Sequence, residues 1–165
     1  MTNDLKNSDR PRQTRFSFGA TSAIITNLGI ITGLDTLTHP KLSIVSALLV
    51  IALADNLSDT FGIHIYQESE HIGTKEVWIS TLTNFSTHLL VSLTFIAMII
   101  FLPIGPAVIC SVIWGLLILT VMTYVISKQR KINPYPAILS HAIVAVVVVV
   151  ASKIIGAFLI AHFHG

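Results

Sequence analysis

Charge is scarce in this sequence. Only 11% of its 165 residues are Asp, Glu, Lys or Arg, against about 25% in a typical soluble domain. So little charge excludes a free-standing water-soluble fold and requires most of the surface to face lipid. Thiols are scarcer still. Cys110 stands alone in an apolar segment, which excludes an intramolecular disulfide and a thiolate metal centre. It reads as a small buried or lipid-facing residue. The net charge is only +2 and the basic residues lie in patches, so nucleic acid is not expected as a partner. No fixed-period repeat is present. A cleaved signal peptide is not expected either, because the first apolar segment is long, dotted with Thr and Asn, and lacks a small-residue cleavage site.

What the chain does have is apolar length: 53% hydrophobic residues and a mean hydropathy of +0.78. Five spans of about 20–25 residues nearly exhaust it and leave no room for a separate soluble domain. The expected fold is all-α, a polytopic five-transmembrane-helix bundle. A polar tail, 1–15, precedes a single membrane domain, 16–165, with helices over about 16–37, 41–70, 76–102, 107–127 and 137–161. Pro40 is placed to open the second helix, where its missing N–H costs nothing. Gly73-Thr74, Pro103-Ile104-Gly105-Pro106 and the loop Lys128 to Pro136 separate the others. The β-branched run Val144–Val150 is expected to be helical, because an open strand in lipid leaves backbone groups unpaired.

Orientation follows from the basic residues. Lys6, Arg10, Arg12 and Arg15 precede the first helix, Lys75 follows the second, and Lys128, Arg130 and Lys131 follow the fourth. All eight fall on one side; Lys41 is alone on the other, and Lys153 lies within the fifth helix. The amino terminus is therefore expected in the cytoplasm and His162-Phe163-His164-Gly165 on the far side.

Within the second span lies Ala54-Asp55-Asn56-Leu57-Ser58-Asp59. Two Asp residues near the centre of a spanning helix cost about 5–7 kcal/mol on insertion scales. Four residues apart, they share a helix face at about 6 Å. At an effective dielectric near 20, two charges at that distance repel by about 3 kcal/mol. Either one carboxyl keeps its proton or a cation sits with them. Both outcomes suit a protein that handles ions or protons.

At 1.5 Å per residue, sequence position converts to depth. Asn27, Asp55, Asn56 and His88 fall about 15 Å from the cytoplasmic ends, and Asp59 and Asn84 about 10 Å, so these six form one expected polar layer. Asn residues in such a layer also serve as interhelical glue. Asp35 and Lys153 match separately, about 25–27 Å in, and most economically form a structural ion pair. A third group, Tyr66-Gln67-Glu68-Ser69-Glu70-His71 with Glu76, extends the second helix into the cytoplasm. Carboxylates with a histidine suit Fe(II) or Mn(II), although a solvated helix end has the same composition. His64 lies about 180° from Asp55 around the helix, so it should meet a different neighbour. The tail residues His162 and His164 are weak metal candidates.

This order of elements resembles the vacuolar iron transporter family. Phe18-Gly19-Ala20-Thr21-Ser22-Ala23-Ile24 occupies the place of that family's Gly-Ala-Ser-Asp-Gly-Leu opening of helix one, and Gly29 and Gly33-Leu34 match its later small-residue spacing. Ala54 to Ser58, leading to Gln67-Glu68-Ser69-Glu70, matches its second helix. Ala151-Ser152-Lys153-Ile154-Ile155-Gly156 resembles its last-helix ending. The resemblance implies a homodimer that exports Fe(II) or Mn(II) from the cytosol in exchange for protons. Two departures stand out. Ser22 occupies the position of the family's helix-one aspartate, and the cytoplasmic metal-collecting domain shrinks to Glu68, Glu70, His71 and Glu76. Asp55 and Asp59 are then candidates to supply the missing carboxylates from the neighbouring helix.

The resulting expectation is a transporter in which Glu68 and Glu70 attract the metal and Asp55 and Asp59 bind it, with Asn27, Asn56, Asn84 and His88 along the path. No tightly bound cofactor is expected. The membrane would be the cell or inner membrane in a prokaryote and the vacuolar membrane in a eukaryote. The alternative is a non-transporting scaffold or partner subunit. An enzyme is not expected, because intramembrane prenyltransferases need two Asp-rich motifs and a basic diphosphate clamp. CDP-alcohol phosphotransferases need upstream Asp-Gly and Ala-Arg elements that are missing here.

Overall fold

The computed structural model describes residues 10–163, and the side chains of 18–162. Five helices follow one another in it: α1 Arg10–Leu34, α2 Pro40–Ser69, α3 Thr74–Phe101, α4 Ile104–Gln129 and α5 Pro134–Phe163, with no strand among the described residues. Helices α2 to α5 are each long and apolar enough to cross a membrane. The apolar part of α1 is shorter, Phe18–Leu34, about 25 Å at 1.5 Å per residue. The chain is an all-α polytopic membrane protein.

Helix boundaries differ from the sequence expectation in an instructive way. α4 starts at Ile104 rather than 107, and α5 at Pro134 rather than 137, so Pro106, Pro134 and Pro136 sit in first turns. First-turn N–H groups have no intrahelical acceptor, so proline there sacrifices no hydrogen bond. α2 opens on Pro40 for the same reason. α3 runs 74–101 rather than 76–102. α1 begins at Arg10 rather than 16, so the last part of the expected polar tail 1–15 is helical; residues 1–9 lie outside the described part. α1 also stops at Leu34 instead of 37, leaving Asp35 in the turn that follows.

The ends of α2 and α4 that are expected to face the cytoplasm close in the same manner. His71 N–H bonds Glu68 C=O and Ile72 N–H bonds Gln67 C=O; Lys131 and Ile132 repeat the pattern on Lys128 and Ser127. This double bond pattern requires a left-handed residue, and His71 and Lys131 both have φ of 57°.

α1 is the hub and packs against all four other helices. Small residues permit this. Gly19 faces Asn84 of α3 so closely that a Cβ there would lie 2.6 Å from the Asn84 carbonyl oxygen. At the other end the α5 backbone at Gly156 meets the Gly33 carbonyl with no space for a Cβ between them. Gly29-x-x-x-Gly33 on α1 and Ser152-x-x-x-Gly156 on α5 thus form a parallel small-residue contact.

The interior divides by depth. On the half expected to face away from the cytoplasm, Leu28, Ile31, Ile44, Leu48, Phe95, Ile96 and Ile99 pack into a dry core. On the other half the buried positions of α2 and α3 are mostly polar: Asn56, Thr60, His64 and Gln67 on α2, and Ser80, Thr81, Asn84, His88 and Ser92 on α3, with Val77 and the α1 residues Ala20, Ala23 and Ile24 as apolar neighbours.

Candidate functional site

The buried face of α2 repeats nearly every four residues through Asn56, Thr60, His64 and Gln67, and α3 answers antiparallel. Asn56 Nδ2 donates to the Phe85 carbonyl at 3.0 Å and to the Ala52 carbonyl at 3.3 Å. Thr60 Oγ1 donates to Asn56 Oδ1 at 3.2 Å and accepts from Asn84 Nδ2 at 3.1 Å. His64 Nδ1 lies 2.7 Å from Thr81 Oγ1, and Gln67 Nε2 donates to Ser80 Oγ at 2.8 Å. The result is a hydrogen-bonded seam that fixes α2 against α3 through half the membrane thickness. Membrane hydrogen bonds of this kind contribute about 0.6–2 kcal/mol each.

Asp55 and Asp59 stand beside this seam, half-buried, on the side of α2 that meets α1. The Ser22 hydroxyl donates to Asp59 Oδ2. An open groove of about 300 Å³, lined by Phe18, Thr21, Ser22, Ile25 and Thr26, runs along this face of α1. Across the seam, both carboxylates are close enough to His88 to act on it electrostatically. His88 itself is completely buried, and neither ring nitrogen has a hydrogen-bond partner among the described residues.

Asn27 and Asn84 bracket that ring. Asn27 Nδ2 donates to Ser92 Oγ at 3.0 Å, one turn beyond His88, while Asn84 sits one turn before it against Gly19. Gly19 opposite Asn84 and Asn27 opposite Ser92 give one register along α1 and α3, which puts the fully buried Ala23 on the level of His88. The expected layer of Asn27, Asp55, Asn56, Asp59, Asn84 and His88 is therefore assembled at the junction of α1, α2 and α3.

The expected metal set is not gathered. Glu68 and Glu70 are exposed, and Glu68 Oε1 lies 3.3 Å from His64 Nε2 instead. They are nine and eleven residues from Asp59, about 13–16 Å along the helix. Among the described residues no three His, Cys, Asp or Glu side chains converge as a metal shell. Asp35 and Lys153 do meet, with Nζ 2.7 Å from Oδ2. His64 faces α3, edge-on to Trp78 with ring centroids 4.8 Å apart. His162 packs on Phe158, and His164 lies outside the described residues.

Sequence reasoning passed over Thr60, Ser80, Thr81 and Ser92, and assigned Gln67 to the cytoplasmic extension of α2, whereas it is buried against Ser80. The signal was present in the spacing 56, 60, 64 and 80, 84, 88, 92, a one-turn repeat that marks a single helix face.

These features define an integral membrane protein of the polytopic helical class, with a half-membrane polar seam flanked by two carboxylates. No family model, curated protein or solved structure matches the chain.

Proposed function

We propose that this protein is a membrane transporter that exports a divalent transition metal, Fe(II) or Mn(II), from the cytosol in exchange for protons. The observation that carries the reading is the hydrogen bond from Ser22 to Asp59. It joins a carboxylate of α2 to Ser22 of α1, and on the resemblance to vacuolar iron transporters Ser22 corresponds to their helix-one aspartate. The substitution of ligand by a neighbouring helix thus has a geometric basis. Glu68 and Glu70 attract the metal at the cytoplasmic end, and Asp55 and Asp59 bind it beside the seam. Hard oxygen donors without thiolate suit these ions. Protonation of the two carboxylates removes their charge and releases the metal, which couples its exit to proton entry. The working unit in this reading is a homodimer, in the cell or inner membrane of a prokaryote or the vacuolar membrane of a eukaryote.

Proteoliposomes loaded with a pH-sensitive dye test the reading. Mn(II) entry with opposing proton movement is expected, and Asp55→Asn or Asp59→Asn should each lower the Mn(II) rate at least tenfold. Wild-type rates in both variants would remove the carboxylates from the mechanism. One observation favours a second reading, a non-transporting scaffold or partner subunit: no three metal-ligating side chains converge among the described residues. If neither Fe(II) nor Mn(II) moves and no pH change follows, the scaffold reading replaces the first.

A further inference from the structure

After Glu76 the chain contains no Asp or Glu, yet Lys128, Arg130 and Lys131 stand together between α4 and α5. All three are exposed, and none pairs with a carboxylate among the described residues. Lys128 Nζ lies 5.5 Å from the centre of the Tyr124 ring, and Tyr135 is exposed at the start of α5. Tyrosines flanking a span mark the level where membrane meets water. α5 also turns its amino-terminal end, the positive end of its dipole, to this surface. The α4–α5 corner therefore carries positive charge, unneutralised by any described side chain, at the level of phospholipid headgroups.

A seam leads from that corner into the membrane. On α4, Val112, Leu116, Thr123 and Arg130 share one stripe: Arg130 keeps right-handed helical geometry and follows Val112 by eighteen residues, about five turns. On α5, His141, Ala145 and Val149 repeat every four residues and share a face. Thr123 Oγ1 lies 2.8 Å from His141 Nδ1, so the two stripes meet. Deeper in, Val112, Leu116, Ala145, Val146 and Val149 line, with Leu28 of α1, a cavity of about 50 Å³. All six are apolar, so the cavity does not hold water, and half-exposed Val146 opens it to lipid. The dimensions match one molecule. Half a bilayer with its headgroups is about 20–22 Å thick. The His141–Thr123 pair lies about 9–11 Å from the helix ends, and the near edge of the cavity about 16–20 Å from them. A phospholipid with its phosphate at Arg130 thus brings its ester groups just outside the polar pair and its chain ends to the cavity.

We propose that the α4–α5 seam binds one anionic phospholipid from the leaflet expected to be cytoplasmic, with its phosphate on Arg130, between Lys128 and Lys131, and an acyl chain end in the cavity beside Val146. A guanidinium pairs with phosphate through two parallel N–H donors, which fixes the headgroup in place. Phosphatidylcholine has the same phosphate but adds a quaternary ammonium, which the two lysines repel and no carboxylate of this half of the chain receives. Phosphatidylglycerol adds no cation. A second copy of the chain is the poorer occupant, because a two-fold contact here would set the same cations against each other. The site is independent of what the protein transports.

Native mass spectrometry of the delipidated full chain tests this, with phosphatidylglycerol and phosphatidylcholine added in equal amounts. The wild-type chain should retain one phosphatidylglycerol in preference to phosphatidylcholine by about tenfold or more. Arg130→Gln leaves the other seven basic residues of that membrane face in place and should remove most of the preference. Val146→Phe, a change at an exposed position, fills the mouth of the cavity. It should lower retention of both lipids severalfold and leave the headgroup preference intact. Equal retention of the two lipids by the wild-type chain overturns the proposal, and needs no variant to fold. An unchanged preference in Arg130→Gln, or unchanged retention in Val146→Phe, overturns it too. So does efficient disulfide crosslinking of Val146→Cys in a Cys110→Ser chain within membranes, since a second copy would then cover the seam.

Discussion

Asp59 and Asn56 belong to adjacent stripes of one helix, yet they answer to different demands. Asn56 is fully buried and both its amide protons reach backbone carbonyls. Asn56→Leu should therefore lower stability by about 1–2 kcal/mol, read as a lower unfolding midpoint in detergent, with transport per folded molecule largely kept. Asp59 is half-buried and its partner is a hydroxyl on another helix. Ser22→Ala removes one hydrogen bond to a charged group, about 1.5–3 kcal/mol. The concentration of Mn(II) giving half-maximal flux should rise about tenfold or more, while the fold is unaffected. Much of this was legible in the sequence. The i,i+4 spacing of Asp55 with Asp59 and of Asn84 with His88, with depth counting, placed all four at one level. Ser92 and Thr60 were not legible as partners, because hydroxyls are common throughout these spans and nothing local shows which of them meets an amide.

Among the elements, α1 and α5 are joined by an ion pair that the sequence anticipated and by a glycine contact that it did not. Asp35 and Lys153 were matched by depth alone, and the structure brings them to 2.7 Å. The glycines beside them were read only as family spacing. Their contact is invisible in the sequence because it depends on which two of five helices become neighbours. Gly156→Leu should push α5 off α1 and cost about 1–3 kcal/mol or more by overpacking, detected as a lower midpoint together with proteolysis at the α4–α5 loop. Lys153→Met strands the carboxylate of Asp35. The lysine is half exposed, so the loss is expected at only about 1–2 kcal/mol, and Asp35→Asn in the same chain should restore most of it. At the α2 end, His71 holds a left-handed conformation that glycine adopts more cheaply. His71→Gly should raise stability by about 1 kcal/mol; if the imidazole also takes part in collecting metal, flux at low Mn(II) falls while the midpoint rises.

For the whole molecule, an odd number of spans puts the two ends of the chain on opposite sides. Eight of the ten basic residues on one side predict a cytoplasmic amino terminus. A reporter active only in the cytoplasm should work at the amino terminus and fail at the carboxyl terminus; the reverse pattern would invert every direction argued above. The helical class and the number of helices were legible because hydropathy and proline punctuation act locally. The division of the interior into a dry half and a polar half was less so, since it emerges only when three helices are set in register.

The hub position of α1 also dictates an order of events during synthesis. α1 is made before the four helices it contacts, and its Gly29–Gly33 face is closed by Ser152 and Gly156 of α5, the helix synthesised after the other four. Asp35 waits as long for Lys153, 118 residues downstream. Until then the shortest apolar segment in the bundle must stay in the bilayer with one side uncovered. The nascent chain is therefore most exposed to quality-control proteases between insertion of α4 and docking of α5. A truncation after residue 133 should be cleared from the cell far faster than the full-length protein, even though every residue of the polar seam is already in place.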